Sequence, residues 1–98
     1  MHTILASRST PFALGKVYCT PGAQQLLHLT GLSISSLLSR HTRSDWGDLC
    51  DEDRQINNAA LRNGGRLVSA YTLVNAHRLY VITEADRSVT TVLLPSEY

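Results

Sequence analysis

The stretch RHTRSDWGDLCDEDR, from Arg40 to Arg54, divides this 98-residue chain into two differently patterned parts. The sequence before it has the apolar spacing of short helices, and from Arg66 onward the spacing becomes that of β-strands. The stretch itself contains the only Trp of the chain and five of its eight carboxylates, namely Asp45, Asp48, Asp51, Glu52 and Asp53. No recognised catalytic motif lies in this stretch, and its most distinctive feature is its concentration of carboxylates.

Upstream of this stretch the sequence predicts a strand followed by a helix. The strand is FALGKVYC, Phe12–Cys19, in which Gly15 indicates a bulge or a turn. Thr20 is predicted to cap a helix that runs from Pro21 to about Thr30, because proline is tolerated at the first helical position. Gly31 is predicted to end this helix in the left-handed conformation. The buried side of this helix is predicted to consist of Leu26, Leu27 and Leu29.

Two further helices are predicted on either side of Trp46, which we expect to be buried. The first is predicted to be capped by Ser33 and to run from Ile34 to His41. The second begins near Asp51, since carboxylates in a first turn face the positive end of the helix dipole, and it ends at Asn63-Gly64-Gly65. Its inward side is predicted to consist of Ile56, Ala59, Ala60 and Leu61.

Three β-branched runs follow, at Arg66–Val74, Arg78–Thr83 and Val89–Leu94, and short polar turns separate them. This spacing is typical of an antiparallel meander. The chain is therefore predicted to be α+β, with about three short helices packed on one face of an antiparallel sheet of three to five strands.

Length, charge and cysteine content limit the class of protein. A chain of 98 residues is expected to form a single domain, residues 1–98, with no deep substrate cavity. A net charge of +1 lacks the strongly basic signature of a dedicated nucleic-acid binder. Cys19 and Cys50 are too few for a disulfide framework, and no apolar run reaches the roughly 20 residues of a membrane span. We expect a cytoplasmic protein with reduced thiols.

His41, Asp45 and Asp48 are the residues most suited to chemistry. A histidine and two carboxylates can bind a divalent metal, or a carboxylate can orient the imidazole as a general base. A small metal-dependent hydrolase or nuclease is therefore one hypothesis. In the structural alternative, Asp45 caps a helical turn that begins at Trp46, and His41 lies at a helix C-terminus, where its positive charge is favoured.

The carboxylates from Asp45 to Asp53 also suggest an acidic surface that could occupy a groove built for nucleic acid. Glu84 and Asp86 add charge on a predicted hairpin tip, where Glu84 is expected to pair with Arg87. Cys50 is predicted to be a small packed residue.

A DNA-binding protein with a basic face is a third hypothesis. It would use scattered arginines that lack both aromatic interleaving and a DNA-binding motif, namely Arg8, Arg40, Arg43, Arg62, Arg66 and Arg78.

Three segments carry a resemblance to a known family: HTRSDWGDL (His41–Leu49), LVSAY (Leu67–Tyr71) and ITEADRSVTTVLLPSEY (Ile82–Tyr98). From about Arg8 onward the chain resembles a family of short plasmid and integrative-element proteins of proteobacteria. The family pattern has glycine where this chain has Ser44.

The resemblance implies an inhibitor of host defence. The chain looks like an anti-CRISPR protein directed at a type I effector complex, with subtype I-C as one candidate. Such inhibitors are commonly non-enzymatic and cover a DNA-binding surface. The implied partner is an effector subunit, with no direct nucleic acid, membrane or small-molecule substrate and no cofactor or metal. Local charge, rather than a family motif, makes the expected contact residues Asp45, Asp48, Asp51, Glu52, Asp53, Glu84 and Asp86.

Overall fold

A computed structural model of the protein describes residues 12–98, so the predictions that concern Arg8 and its neighbours lie outside the described part. The described chain forms three helices and four strands, which confirms the α+β prediction. In chain order they are β1 (Lys16–Cys19), α1 (Pro21–Thr30), α2 (Ile34–Thr42), α3 (Asp51–Asn63), β2 (Leu67–Thr72), β3 (Arg78–Thr83) and β4 (Val89–Leu93). Within residues 12–98, no helix combines the length and apolar character that a membrane crossing requires.

The four strands form one mixed sheet in the order β1-β4-β3-β2. Strands β2, β3 and β4 form the predicted antiparallel meander, but β1 runs parallel to β4, so the prediction of a wholly antiparallel sheet is wrong for β1. Parallel pairing is open to β1 because most of the chain, rather than a tight hairpin, connects it to β4. The strand begins at Lys16 and not at Phe12, because Gly15 takes a positive φ of 66° against the Ser88 carbonyl.

Helices α1 and α2 pack on one face of the sheet. Each begins at a predicted hydroxyl cap, since the side chains of Thr20 and Ser33 accept hydrogen bonds from backbone N–H groups three residues later. The buried residues of α1 are Ala23 and Leu27, four positions apart, whereas Leu29 is 74% exposed. The prediction for Leu29 is wrong because it lies about 200° around the helix from Leu27. The main core contains Ala23, Leu27, Leu37, Tyr71, Leu73, Leu79, Val81 and Val92.

Helix α3 lies along β2, which is an edge strand of the sheet. Trp46 is buried, as predicted, against Ala60 of α3 and Leu67 of β2, and its indole N–H donates to the side chain of Asn58 at 3.1 Å. The residue of α3 that faces the strand is Asn57, which is buried. Its neighbour Ile56 is 57% exposed, so the predicted inward position of Ile56 is wrong.

Candidate functional site

His41 is fully buried and both of its ring nitrogens are engaged. Nδ1 lies 2.6 Å from the hydroxyl of Ser69, and Nε2 lies 2.9 Å from the hydroxyl of Thr83. Thr83 in turn bonds to Thr90, whose hydroxyl donates to the carbonyl oxygen of Leu14. This last bond fixes the direction of the whole chain: Thr83 donates to Thr90, Nε2–H donates to Thr83, and Ser69 donates to Nδ1.

A neutral imidazole satisfies this network completely. Burial, together with the smaller effect of the positive charge of Arg87, lowers the pKa of His41 from 6.5 to about 4. The prediction of a charged His41 at the helix C-terminus is therefore wrong, because the ring turns into the core instead of toward water. The aromatic rings of Phe12 and Trp46 pack against it edge-on.

Asp45 forms an ion pair with Arg40, whose Nε lies 2.7 Å from a carboxylate oxygen of Asp45. The hydrogen bond from Arg40 is the largest of the influences that lower the pKa of Asp45. The same guanidinium stacks over the Tyr71 ring. Asp45 also accepts a hydrogen bond from the N–H of Gly47, which forms a turn. The predicted helical turn after Asp45 is absent, because Gly47 instead forms an isolated parallel bridge with Ala70 of β2.

Asp48 closes the edge of the sheet. Its backbone N–H donates to the carbonyl of Ala70 at 2.7 Å, and its carboxylate accepts the N–H of Thr72 at 3.0 Å. Hydrogen bonds from Thr72 lower the pKa of Asp48. Gly47 makes this approach possible, since a Cβ at its positive φ of 77° would clash with the Ala70 carbonyl.

The structure does not bring His41, Asp45 and Asp48 together as one site. His41 points into the core, Asp45 turns to Arg40, and Asp48 lies on the edge of β2. Across residues 12–98 no group of three His, Cys, Asp or Glu side chains is arranged to hold a metal ion. These three residues therefore do not form the converging set of side chains that the hypothesis of a metal-dependent hydrolase requires.

Asp51, Glu52 and Asp53 form the first turn of α3, and we call these three residues the acidic turn. All three are exposed, and none has a hydrogen bond or ion pair with a side chain of the described residues. The side chain of the N-cap residue Cys50 makes no hydrogen bond to the helix. The three carboxylates lie at the positive end of the helix dipole, where negative charge is favourable. Cys50 is exposed at the N-cap position of α3, so its predicted packed position is wrong.

Glu84 and Asp86 lie at the opposite end of α3. Glu84 pairs with Arg66 at 3.4 Å, and Asp86 binds the N–H and hydroxyl of Ser88. The predicted Glu84–Arg87 side-chain pair is wrong, because the Arg87 guanidinium instead donates to the backbone carbonyls of Gly65, Glu84, Ala85 and Ala60. Thirteen helical residues separate the ends of α3 by about 20 Å, so the acidic residues form two groups.

Most arginines of the hypothetical basic face are engaged within the protein. Arg40 binds Asp45, Arg62 donates to the Asn58 carbonyl, and Arg78 donates to the Asp48 carbonyl at 3.4 Å. Arg66 binds both Glu84 and the hydroxyl of Tyr98. These contacts pair four of the six guanidinium groups with acceptors of the protein itself.

A cleft that the sequence did not predict lies between α3 and the sheet face opposite the main core. It consists of two adjoining hollows of about 230 and 380 Å³, both lined by Leu49, Asp53 and Val68. Tyr80 and Tyr98, packed edge-to-face, border the wider hollow. The alternation of β2 puts Val68 on this face, but only the fold places Asp53 above it.

Comparison of this chain with protein-family models, with curated proteins and with solved structures found no match.

Proposed function

We propose that this protein is a non-enzymatic inhibitor that binds a basic, DNA-binding surface of a type I CRISPR effector complex in the host cytoplasm and competes with target DNA. The observation that carries the proposal is the acidic turn, whose three carboxylates are exposed and have no counter-charge among the described residues. The resemblance to short mobile-element proteins supplies the identity of the partner.

The carboxylates of the protein differ in whether they are free to bind a basic partner. Asp45 and Asp48 are occupied by Arg40 and by the β2 edge, and Glu84 is occupied by Arg66. A carboxylate that is already paired gains less from a basic partner, because binding must exchange one cation for another. The acidic turn is therefore expected to contribute most of the attraction, and Asp45, Asp48, Glu84 and Asp86 are expected to contribute less.

The test is target-DNA binding by a purified, guide-loaded type I effector complex with and without stoichiometric protein. Wild-type protein is expected to prevent DNA binding while the complex stays intact. The triple variant Asp51→Lys, Glu52→Lys, Asp53→Lys is expected to lose the inhibition. Full inhibition by a correctly folded triple variant would refute the role of the acidic turn.

Two controls separate surface chemistry from folding and from net charge. Lysines in a first turn oppose the helix dipole at about 0.3–1 kcal/mol each, so thermal melts must show that the variant remains folded. The milder variant Asp51→Asn, Glu52→Gln, Asp53→Asn changes the net charge by as much as Gln24→Lys, Ser35→Lys, Ser39→Lys on exposed positions of α1 and α2. Only the variant at the acidic turn is expected to weaken inhibition.

The alternative function, a DNA-binding accessory protein of a mobile element, predicts direct binding to DNA, which the inhibitor proposal does not. It expects the protein alone to bind duplex DNA with an affinity that falls steeply as salt rises.

A further inference from the structure

Asp53 differs from its neighbours in the acidic turn because it also lines the cleft. Leu49 and Val68 provide an apolar floor beneath it, and Asp53 borders both hollows. Asp51 and Glu52 project from the same turn but line neither hollow. A carboxylate above an apolar floor, next to aromatic rings, has the chemistry of a pocket for a long cationic side chain.

The cations already at the cleft have partners of their own. Arg66 is held by the carboxylate of Glu84 and by the hydroxyl of Tyr98, and Arg78 donates to the carbonyl of Asp48. No hydrogen bond or ion pair joins Asp53 to these or other described residues. The carboxylate of Asp53 is therefore open to an incoming positive group, and Arg66 and Arg78 line the same cleft with partners of their own.

The chemistry of the cleft lining favours arginine over lysine as the bound side chain. An arginine has an aliphatic stem that can cover Leu49 and Val68, and a planar guanidinium that can bind a carboxylate with two parallel hydrogen bonds. The guanidinium is also more weakly hydrated than an ammonium, so it loses less on entering a partly apolar cleft. Tyr80 and Tyr98 provide aromatic surface beside the same position.

We propose that the cleft binds one arginine side chain of the partner protein, with its stem on Leu49 and Val68 and its guanidinium on Asp53. This inference depends on the proposed function only in assigning the arginine to the partner. The three residues of the acidic turn then have different roles. Asp51 and Glu52 attract a basic surface of the partner from a distance, whereas Asp53 binds one particular arginine of that surface.

The test titrates isotope-labelled protein with N-acetyl-arginine amide and follows it by NMR. The expected result is millimolar binding that shifts the signals of Leu49, Val68 and Tyr80. N-acetyl-citrulline amide, which has nearly the same shape and no charge, is expected to leave those signals in place. Asp53→Asn should weaken binding of the arginine derivative about fivefold, the factor that corresponds to about 1 kcal/mol. Asp51→Asn and Glu52→Gln, which remove the same charge outside the cleft, should each weaken it less than about twofold.

Three results would overturn the proposal: equal shifts with the citrulline derivative, equal weakening by all three variants, or shifts that fall away from the cleft. The titration requires no effector complex, so it can fail while inhibition of DNA binding persists. Conversely, wild-type protein that leaves target-DNA binding by the effector complex unchanged would refute the proposed function even if the cleft binds arginine.

Discussion

The buried His41 should make this protein lose stability in mild acid. The unfolded chain binds a proton at His41 with a pKa near 6.5, whereas the folded protein does so only at about 4. Because the folded state binds fewer protons, the free energy of unfolding has its full value above pH 6.5 and falls as the pH drops from 6.5 toward 4. The difference of about 2.5 pKa units corresponds to about 3 kcal/mol at completion and about 2 kcal/mol at pH 5.

The cause of this loss is the fixed direction of the hydrogen-bond network. A second proton on Nδ1 would face the hydroxyl of Ser69, which now donates to that nitrogen and would have to turn away. The cation would also lie among aromatic rings and near Arg87, with no carboxylate to balance it. Carboxylates with lowered pKa values act in a different window. The contributions of Asp45, Asp48, Asp86 and Glu97 are lost only as the pH falls below their ordinary range near 4.

Urea unfolding between pH 7.5 and 5 measures the effect. A loss of about 2 kcal/mol should also lower the melting temperature by roughly 8–16 °C for a domain of this size. His41→Gln is expected to be less stable at pH 7.5, by about 1–3 kcal/mol, because the hydroxyl partners are imperfectly replaced. Its stability should nevertheless be nearly flat from pH 7.5 to 5. His28→Gln, His77→Gln is the matched control, since both residues are exposed, and it should retain the wild-type slope. A flat wild-type profile, or an equal slope in His41→Gln, would refute the reasoning.

Two further predictions concern stability. Asn57→Ala should cost about 2–4 kcal/mol in urea unfolding, because the buried amide donates to the carbonyl of Val68 at 2.8 Å and accepts its N–H at 3.1 Å, and both groups would be left without a partner. The exposed Gln55→Ala on the same helix should change stability by less than about 0.5 kcal/mol, and equal effects would contradict the role of Asn57. Ser44→Gly should raise stability by about 0.5 kcal/mol, since Ser44 has a positive φ of 65°, and a lower melting temperature would show that this conformation carries no strain.

Local signals in the sequence predicted the elements well because each element begins or ends at a residue with a specific backbone role. Thr20, Ser33 and Gly31 act as the caps that the sequence indicated, and the positive φ of 75° at Gly31 ends α1. The strand period likewise located β3 at Arg78–Thr83. The parallel pairing of β1 with β4 could not be read in the same way, because it joins segments about 70 residues apart and has no local cause.

The candidate site was harder to predict because its charges are assigned by tertiary contacts. The sequence presented Asp45, Asp48 and Asp53 as equivalent members of one acidic run. In the fold, Asp45 forms an ion pair with Arg40, Asp48 accepts a hydrogen bond from the backbone of β2, and Asp53 lines the cleft. The left-handed conformation of Ser44, with a positive φ of 65°, was likewise not predicted, because serine gives no local signal for it.

The division of the acidic stretch between structure and surface changes how mutations in it should be interpreted. Replacing Asp48 would release the N–H of Thr72 at the edge of β2, and replacing Asp45 would release Arg40 from its place over Tyr71. Either change would weaken the fold, so a loss of inhibition there would not identify a contact residue. The acidic turn has no such internal partners among the described residues. Substitutions within it, compared one residue at a time, can therefore separate attraction by charge from binding in the cleft.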